Sequence, residues 1–189
     1  MKLSNAMEHE VRTRIGRLRA QTPAQEGTCW CPLCRADMMA LALTALPPRY
    51  ATRRASSLEI EPQLALATHE AVVQALRQVQ SRPKHARGAA VAPGEPVWVV
   101  NFPLEEGFSA VGAILQRSDG VCDCWHCRCD MVAFALNRHP ARYGVEHAGK
   151  THLFDTDRAA LRDELCSFLE LAVRLVSSVP RHDPRLAVS

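Results

Sequence analysis

The chain has 189 residues, of which 47% are hydrophobic, and its formal net charge is only +3. This length allows one ordinary domain or two small ones, and the low charge argues against a polycation that binds a nucleic-acid backbone. No stretch approaches the roughly 20 apolar residues of a membrane span, and the charged first twenty residues lack the apolar core of a signal peptide. We therefore expect a cytoplasmic protein with reduced cysteines.

Hydrophobic spacing predicts three helices in the first half of the chain, over residues 7–20, 31–46 and 62–80. The second of these helices begins in a cysteine cluster, with Cys31 near the N-cap and Pro32 in the first turn, where proline is favoured. Residues 49–60 are predicted to form a turn with a short strand. Residues 86–96 are rich in Ala, Gly and Pro and are predicted to be a linker.

The second half is predicted to begin with an apolar strand over residues 97–100, Val-Trp-Val-Val. Three more helices and a second short strand follow from the same spacing rules. The helices cover about 105–117, 127–138 and 157–178, and the strand covers 151–154.

A cluster of three cysteines and an aspartate occurs twice, 93 residues apart: Cys29, Cys31, Cys34 and Asp37, then Cys122, Cys124, Cys127 and Asp130. The same register continues to Tyr50 and Tyr143. Beyond these tyrosines the second copy has four extra residues, and the offset becomes 97. We therefore interpret residues 1–85 and 97–189 as an internal duplication.

Each cysteine triplet offers three thiolates that can converge on one soft metal ion, for which zinc is our choice. A fourth ligand is expected from the duplicated third helix, where His69 and Cys166 fall on the same repeat position and on an apolar helix stripe. The predicted sites are two structural zinc centres, one of three cysteines and a histidine and the other of four cysteines. Cys129 is expected to be spare, because the first copy has Ala36 there.

Other interpretations of these residues are open at this stage. His69 alone could be a core histidine, and Cys166 a small buried hydrophobe. The Trp30 to Cys34 segment resembles a Trp-Cys-x-x-Cys redox motif, but no strand precedes it. An iron–sulfur cluster usually has longer cysteine spacings, and a zinc deaminase would need an upstream His-x-Glu motif that neither copy has.

The string Cys-x-Cys-x2-Cys-x2-Asp-Met-x-Ala-x-Ala-Leu, followed by Pro-Pro-Arg-Tyr at residues 47–50, resembles the late competence protein ComFB family. In the second copy, residues 135–143 are similar to that family's Ala-Leu-Asn-Arg-Leu-Pro-Pro-Arg-Tyr signature. Residues 5–8 and 101–106 resemble its opening Asn-x-Met-Glu segment. The first copy departs from the signature at Thr44, where the family has asparagine, and the second copy departs at His139 and Ala141.

This resemblance implies a mainly helical, non-enzymatic protein that binds zinc through cysteines and forms a two-fold dimer. In this chain, the two repeats would form the pseudo-dimer within one molecule. Several members of the family are receptors for cyclic dinucleotides, so the resemblance implies binding of such a messenger, with cyclic di-GMP as first choice, and a role in competence, pili or motility.

A two-fold ligand with two purines and two phosphates suits a pseudo-symmetric pocket with paired arginines and aromatic rings. The residues predicted for this pocket are Arg49, Tyr50, Arg53, Asn137, Arg142 and Tyr143. The competing interpretation is a zinc-stapled adaptor that binds a protein partner and no nucleotide. An enzyme is not expected, because no pair of nucleophile and base can be recognised in the chain.

Overall fold

The computed structural model describes residues 2–22, 28–52, 61–86, 90–152 and 157–180. The described elements, in chain order, are β1 Ser4–Asn5, α1 Ala6–Gln21, α2 Pro32–Thr44, β2 Tyr50–Ala51, α3 Pro62–Ser81, β3 Val97–Asn101, α4 Phe102–Leu115, α5 Trp125–Leu136, β4 Tyr143–His147, β5 Lys150–His152 and α6 Arg158–Ser178. Among these described helices, none is both long and apolar enough to cross a membrane.

The six predicted helices are confirmed, with ends shifted by at most three residues. Helix α2 begins as its sequence predicts, because the Cys31 sulfur caps it by accepting a hydrogen bond from the Cys34 backbone N–H at 3.5 Å. Helix α4 begins earlier than expected, since the side-chain oxygen of Asn101 accepts from the Leu104 N–H at 3.2 Å and caps it there. The sequence did not predict β4. The strand predicted at 151–154 begins as β5, and its last two residues lie outside the described residues.

Both repeats follow one plan of three helices and an antiparallel strand pair. In the first repeat β1 pairs with β2, with Asn5 opposite Tyr50. In the second repeat β3 pairs with β4, with Asn101 opposite Tyr143, and β5 adds a third strand. The two asparagines and the two tyrosines therefore occupy equivalent places in the two repeats.

Each repeat inserts its tyrosine-bearing strand into the other repeat. Tyr50, from the first repeat, lies in a core that is otherwise built mainly by α4, α5 and α6, the second core. Tyr143 and Val145, from the second repeat, lie in the core built by α1, α2 and α3, the first core. The chain therefore folds as a pseudo-two-fold intramolecular dimer, as the duplication predicts.

Reciprocal hydrogen bonds between the repeats hold this exchange in place. The Asn137 side chain accepts from the Tyr50 N–H at 2.6 Å and donates to the Tyr50 carbonyl at 3.0 Å. At the equivalent place, the Thr44 hydroxyl accepts from the Tyr143 N–H at 3.2 Å. The family-signature asparagine of the second repeat thus makes two bonds across the junction where the first repeat's threonine makes one.

A buried polar network lies where the two repeats meet. The Tyr143 hydroxyl donates to Glu8 at 2.9 Å and accepts from Asn5 at 2.9 Å, while Asn101 donates to the hydroxyls of Tyr50 at 2.6 Å and Tyr143 at 2.9 Å. Burial raises the pKa of Tyr50 to about 12, although hydrogen bonds from Asn101 and Tyr143 oppose the change. Burial, followed by the proximity of Tyr50 and Glu8, also raises the pKa of Tyr143. Both phenols are therefore neutral at physiological pH.

Candidate metal centres and the adjoining cavity

The first cysteine triplet is assembled with a histidine. Cys29 lies in the loop before α2, Cys31 caps that helix, and Cys34 lies in its first turn. His85 comes from the segment after α3 and completes a group of four ligand atoms that all lie within 4.8 Å of one another. Three sulfurs and one imidazole nitrogen are a preferred donor set for tetrahedral zinc.

The His85 ring is oriented for binding a metal. One ring nitrogen, Nδ1, lies 2.9 Å from the Ala86 carbonyl, which can only accept, so this nitrogen carries the proton. The other nitrogen, Nε2, lies 3.1 Å from the Cys34 sulfur and presents its lone pair to the cluster. Fixing a ligand histidine by a carbonyl on its far nitrogen is the usual outer-shell arrangement of zinc sites.

The thiols of the first cluster have divergent pKa values. Burial raises the pKa of Cys31, but backbone hydrogen bonds from Cys34 and Val91 and the neighbouring thiols outweigh burial and lower it overall. Burial, and then the proximity of Cys31 and Cys29, raises the pKa of Cys34. One ionised sulfur disfavours the next where no cation balances them, and a divalent ion would remove that conflict. The group therefore fits a cation chemically as well as geometrically.

The second cluster brings together Cys122, Cys124 and Cys127 at the start of α5. The Cys124 sulfur caps that helix by accepting from the Cys127 N–H at 3.5 Å. Burial, and then hydrogen bonds with Cys122 and Cys124, raises the pKa of Cys127 to about 12. Cys127 is buried, whereas Cys122 and Cys124 are partly exposed. Among the residues that the structure describes, this group has three ligands.

The predicted fourth ligands, His69 and Cys166, do not join these clusters. His69 is exposed on α3, and His85 occupies the place that was assigned to it. Cys166 is partly buried and packs against the second core, outside the group of three described thiols. Cys129 is fully buried and also lies outside the ligand group, as expected for a spare cysteine.

The error has a simple cause in the rotation of α3. The predicted stripe included Leu66 and His69, but the buried stripe consists of Thr68, Val72, Ala75 and Val79, and Leu66 is 60% exposed. Helix α6 buries the same repeat positions, with Leu165, Leu169 and Ala172 inside. The alignment of the two helices was right, and the face assigned to the core was off by one residue.

A sequence signal for His85 was present. The segment Ser81-x-Pro83-Lys84-His85 repeats as Ser178-x-Pro180-Arg181-His182, so a histidine follows the third helix of each repeat. His182 lies outside the described residues. The repeat register makes it the counterpart of a ligand histidine.

The residues predicted to bind a nucleotide are placed very differently from one another. The rings of Tyr50 and Tyr143 are buried, so neither offers a face on which a purine could stack. Tyr50 and Asn137 nevertheless both line a cavity between the repeats. Arg142 pairs with Glu164 at 2.9 Å, and Arg49 lies 3.8 Å from Glu61. Both arginines are partly exposed. Arg53 lies outside the described residues.

A cavity of about 510 Å³ lies between the two repeats, where the end of β2 meets α5 and the end of α6. Its walls include Asp130, Phe134, Asn137 and Arg138. The Arg138 guanidinium lies 3.5 Å from the centre of the Phe134 ring, which is a cation–π arrangement. The cavity volume is within the range of about 300–1,000 Å³ found for small-molecule sites.

The first repeat has a smaller counterpart of about 140 Å³, lined by equivalent positions. Asp37, Leu41, Gln78 and Arg82 stand there in place of Asp130, Phe134, Leu175 and Val179. Burial raises the pKa of Asp37 to about 6, although Lys84 and His85 pull it down. The two cavities share a position in the fold and differ in size and lining.

The comparison with known families agrees with these observations. The family model of the late competence development protein ComFB matches residues 4–83 and again residues 108–180. The two matched segments correspond to the two repeats. No curated protein and no solved structure matches the chain significantly.

Proposed function

Because this chain belongs to the ComFB family, we propose that it is a non-enzymatic cytoplasmic regulatory protein that binds zinc and a cyclic dinucleotide. Cyclic di-GMP is the first choice of ligand. The regulated process would be competence, pili or motility. The observation that carries the ligand proposal is the larger cavity, which both repeats build and which has room for a nucleobase.

Zinc in the two cysteine clusters would have a structural role. Each cluster fixes the start of a helix whose other end holds the tyrosine strand of the opposite repeat. A repeat of this size has a small hydrophobic core, and a bound metal ion would add stability that such a core lacks. Zinc would thus hold the helices that form the cavity walls.

A purine would stack against the Arg138 side of the cavity. The guanidinium is exposed above Phe134 and is a planar, delocalised surface of the kind on which bases stack. Stacking of a base on an aromatic ring or an arginine contributes about 1–3 kcal/mol. Leu175 and Val176 provide apolar contact on the opposite wall.

Asp130 favours guanine over adenine as the base. A carboxylate only accepts hydrogen bonds when ionised. The Watson–Crick edge of guanine presents two adjacent donors, whereas that of adenine presents one donor beside an acceptor. Guanine can therefore offer a carboxylate two hydrogen bonds where adenine offers one, which is why cyclic di-GMP is preferred to cyclic di-AMP.

The phosphates would be bound by arginines around the cavity. Arg53 directly follows Thr52, the last described residue on the cavity wall. Arg49 and Arg142 do not line this cavity. They lie in the two Pro-x-Arg-Tyr segments, which follow α2 and α5 and are a second candidate location for the ligand. Variants can distinguish the two locations.

Calorimetric titration with cyclic di-GMP and cyclic di-AMP at near-physiological salt tests the proposal, because salt screens unspecific attraction to arginines. Arg138→Ala and Phe134→Leu give the larger cavity the residues of the first repeat, Ala45 and Leu41. Each should weaken binding about ten-fold or more. Asp130→Asn should reduce the preference for guanine. Arg82→Ala, in the smaller cavity, is the matched control and should leave binding unchanged.

The outcomes separate three interpretations. Loss of binding in Arg49→Ala and Arg142→Ala, with Arg138→Ala unaffected, would indicate that the ligand binds at the two Pro-x-Arg-Tyr segments. The absence of heat with either nucleotide at high micromolar concentration would contradict the receptor proposal. The alternative would then be the zinc-stapled adaptor that binds a protein partner without nucleotide.

A further inference from the structure

Helix α6 carries an exposed apolar row that the fold does not cover. Leu171, Leu175 and Val179 are 40%, 47% and 76% exposed, and they follow one another at intervals of four residues. Leu171 and Leu175 lie on one face of the helix, and Val179 continues the row at the C-cap, directly after α6 ends at Ser178. The buried face of α6 is a different one, formed by residues such as Leu165 and Leu169.

The first repeat indicates that this row is not needed for folding. Helix α3 has the same buried positions as α6, but its counterparts of the exposed row are Gln74, Gln78 and Arg82. The same fold is thus compatible with polar residues at all three positions. A contiguous exposed apolar row on one of two equivalent helices is typical of an interaction surface.

The charges beside the row are complementary to those on a second copy of the same surface. Glu170 and Arg174 are both exposed and flank Leu171 on one side of α6. Neither forms an ion pair with another residue in the described part of the chain. When two identical helices pack antiparallel about a two-fold axis, the same flanks face each other in opposite directions. Glu170 of one chain then lies opposite Arg174 of the other, and the pairing occurs twice.

We propose that two copies of this chain associate through α6, packed antiparallel with the axis near the midpoint of Glu170 and Arg174. Leu171 of one chain then contacts Leu171 of the other, and Leu175 extends the apolar contact on both sides. The two Glu170–Arg174 pairs fix the register, since a parallel arrangement would place the two charged flanks on opposite sides of the contact, and a shift by one helical turn would place like charges opposite each other. Leu175 and Val179 also line the larger cavity, so this surface adjoins the proposed nucleotide site, and the association is therefore measured without nucleotide.

Sedimentation equilibrium of the full, zinc-loaded chain, measured without nucleotide, tests the proposal. The wild-type chain should be a dimer of 20.9 kDa subunits. Glu170→Arg and Arg174→Glu should each weaken the dimer about ten-fold or more, because each places like charges opposite each other. The double variant Glu170→Arg with Arg174→Glu should restore the dimer, because the pairs form again with their signs exchanged.

A second test of the proposal replaces the apolar row with polar residues. Leu171→Gln with Leu175→Gln gives α6 the residues of α3 and should yield a folded monomer, since both side chains are exposed in the single chain. Leu66→Gln, which replaces a leucine that is 60% exposed on α3, is the control and should leave the dimer intact. A monomeric wild-type chain at about 100 μM, or a double charge variant no stronger than the single ones, would overturn the proposal.

Discussion

The two repeats of this chain have the same helices and strands, but they use them differently. The first repeat encloses its metal cluster with His85, has a small cavity and presents a polar outer helix face. The second repeat has two partly exposed thiols in its cluster, a cavity more than three times larger and an apolar outer face on α6. The difference shows that one fold, built twice in the same chain, supports a small cavity with a polar outer face in one repeat and a larger cavity with an apolar outer face in the other.

The junction between the repeats shows the same asymmetry. Glu8 is the one carboxylate that binds the tyrosine hydroxyls in the described network, and Leu104 occupies its repeat position in the second half. Asn137 makes two bonds across the junction, whereas Thr44 makes one. A single chain can carry such differences because its two halves mutate independently, which two identical subunits cannot do.

The largest effect is expected at the first metal centre. Cys34→Ser should remove its metal and strongly destabilise the chain, because structural zinc contributes on the order of 10 kcal/mol or more in small domains. His85→Ala should act in the same direction. His69→Ala is the matched control and should leave metal content and melting temperature unchanged. Metal analysis measures the metal content, and thermal unfolding measures the melting temperature. If His69→Ala lowered both and His85→Ala changed neither, the ligand assignment would be contradicted.

The corresponding change in the second centre sharpens the comparison. Cys127→Ser should also destabilise the chain, but less than Cys34→Ser, because one of the three described ligands in this centre is buried, whereas two of the four in the first centre are. Chelation of the metal should reproduce the sum of the two effects. Equal losses of stability in Cys34→Ser and Cys127→Ser would mean that the two centres stabilise the chain equally.

Alkaline pH should weaken the junction through Tyr50. The pKa of Tyr50 is raised to about 12 in the folded protein, and it is about 10 in the unfolded chain. The neutral phenol therefore stabilises the fold fully below pH 10, and this contribution is lost as pH rises from about 10 to 12. Two pKa units correspond to about 3 kcal/mol. Urea denaturation across this range should show a shallower pH dependence for Tyr50→Phe than for the wild-type chain.

The hydrogen bond to Asn101 gives a separate effect in that variant. Tyr50→Phe also loses this bond, which lowers stability by the same amount at every pH below 10. The diagnostic quantity is therefore the slope with pH and not the offset. An unchanged slope would mean that ionisation of Tyr50 is not coupled to unfolding.

A smaller effect is expected where the tyrosine strands meet the opposite repeat. Asn137→Ala leaves both the N–H and the carbonyl of Tyr50 without their partner and should cost about 1–3 kcal/mol. Thr44→Ala removes one acceptor at the equivalent position and should cost about half as much. Denaturant unfolding of the two variants measures the difference. A larger loss for Thr44→Ala would reverse the ranking of the two junctions.

The smallest effect concerns the fourth ligand of the second centre, for which the repeat register points to His182. His182→Ala should weaken zinc binding at this centre about ten-fold or more, which is about 1.4 kcal/mol, and leave the first centre unchanged. Cys166→Ser is the matched control. Competition with a chromophoric chelator resolves the two centres. A loss of zinc in Cys166→Ser but not in His182→Ala would restore the four-cysteine site.

The sequence by itself determined the features that depend on local spacing. The cysteine clusters, the six helices and the cap at Cys31 follow from residues within a few positions of each other. The Asn101 cap, which starts α4 early, was not predicted. The internal duplication was visible because the register between the copies is unbroken from the cysteine clusters to the tyrosines and changes only once from there to the third helices. These features also predicted the family and the metal-binding thiols, since three sulfurs within six residues are brought together by one helix turn and its preceding loop.

Only the tertiary structure decided which distant groups meet. The apolar residues of α3 are compatible with two buried faces that differ by one residue. Packing of α3 on α2 decided between them, and the result leaves His69 exposed and brings His85 to the thiols. The tyrosines likewise appeared suited to a ligand, but the exchange of strands between the repeats buried their rings and joined their hydroxyls to Asn5, Glu8 and Asn101. Local spacing cannot predict such contacts, because they depend on how two complete repeats fit against each other.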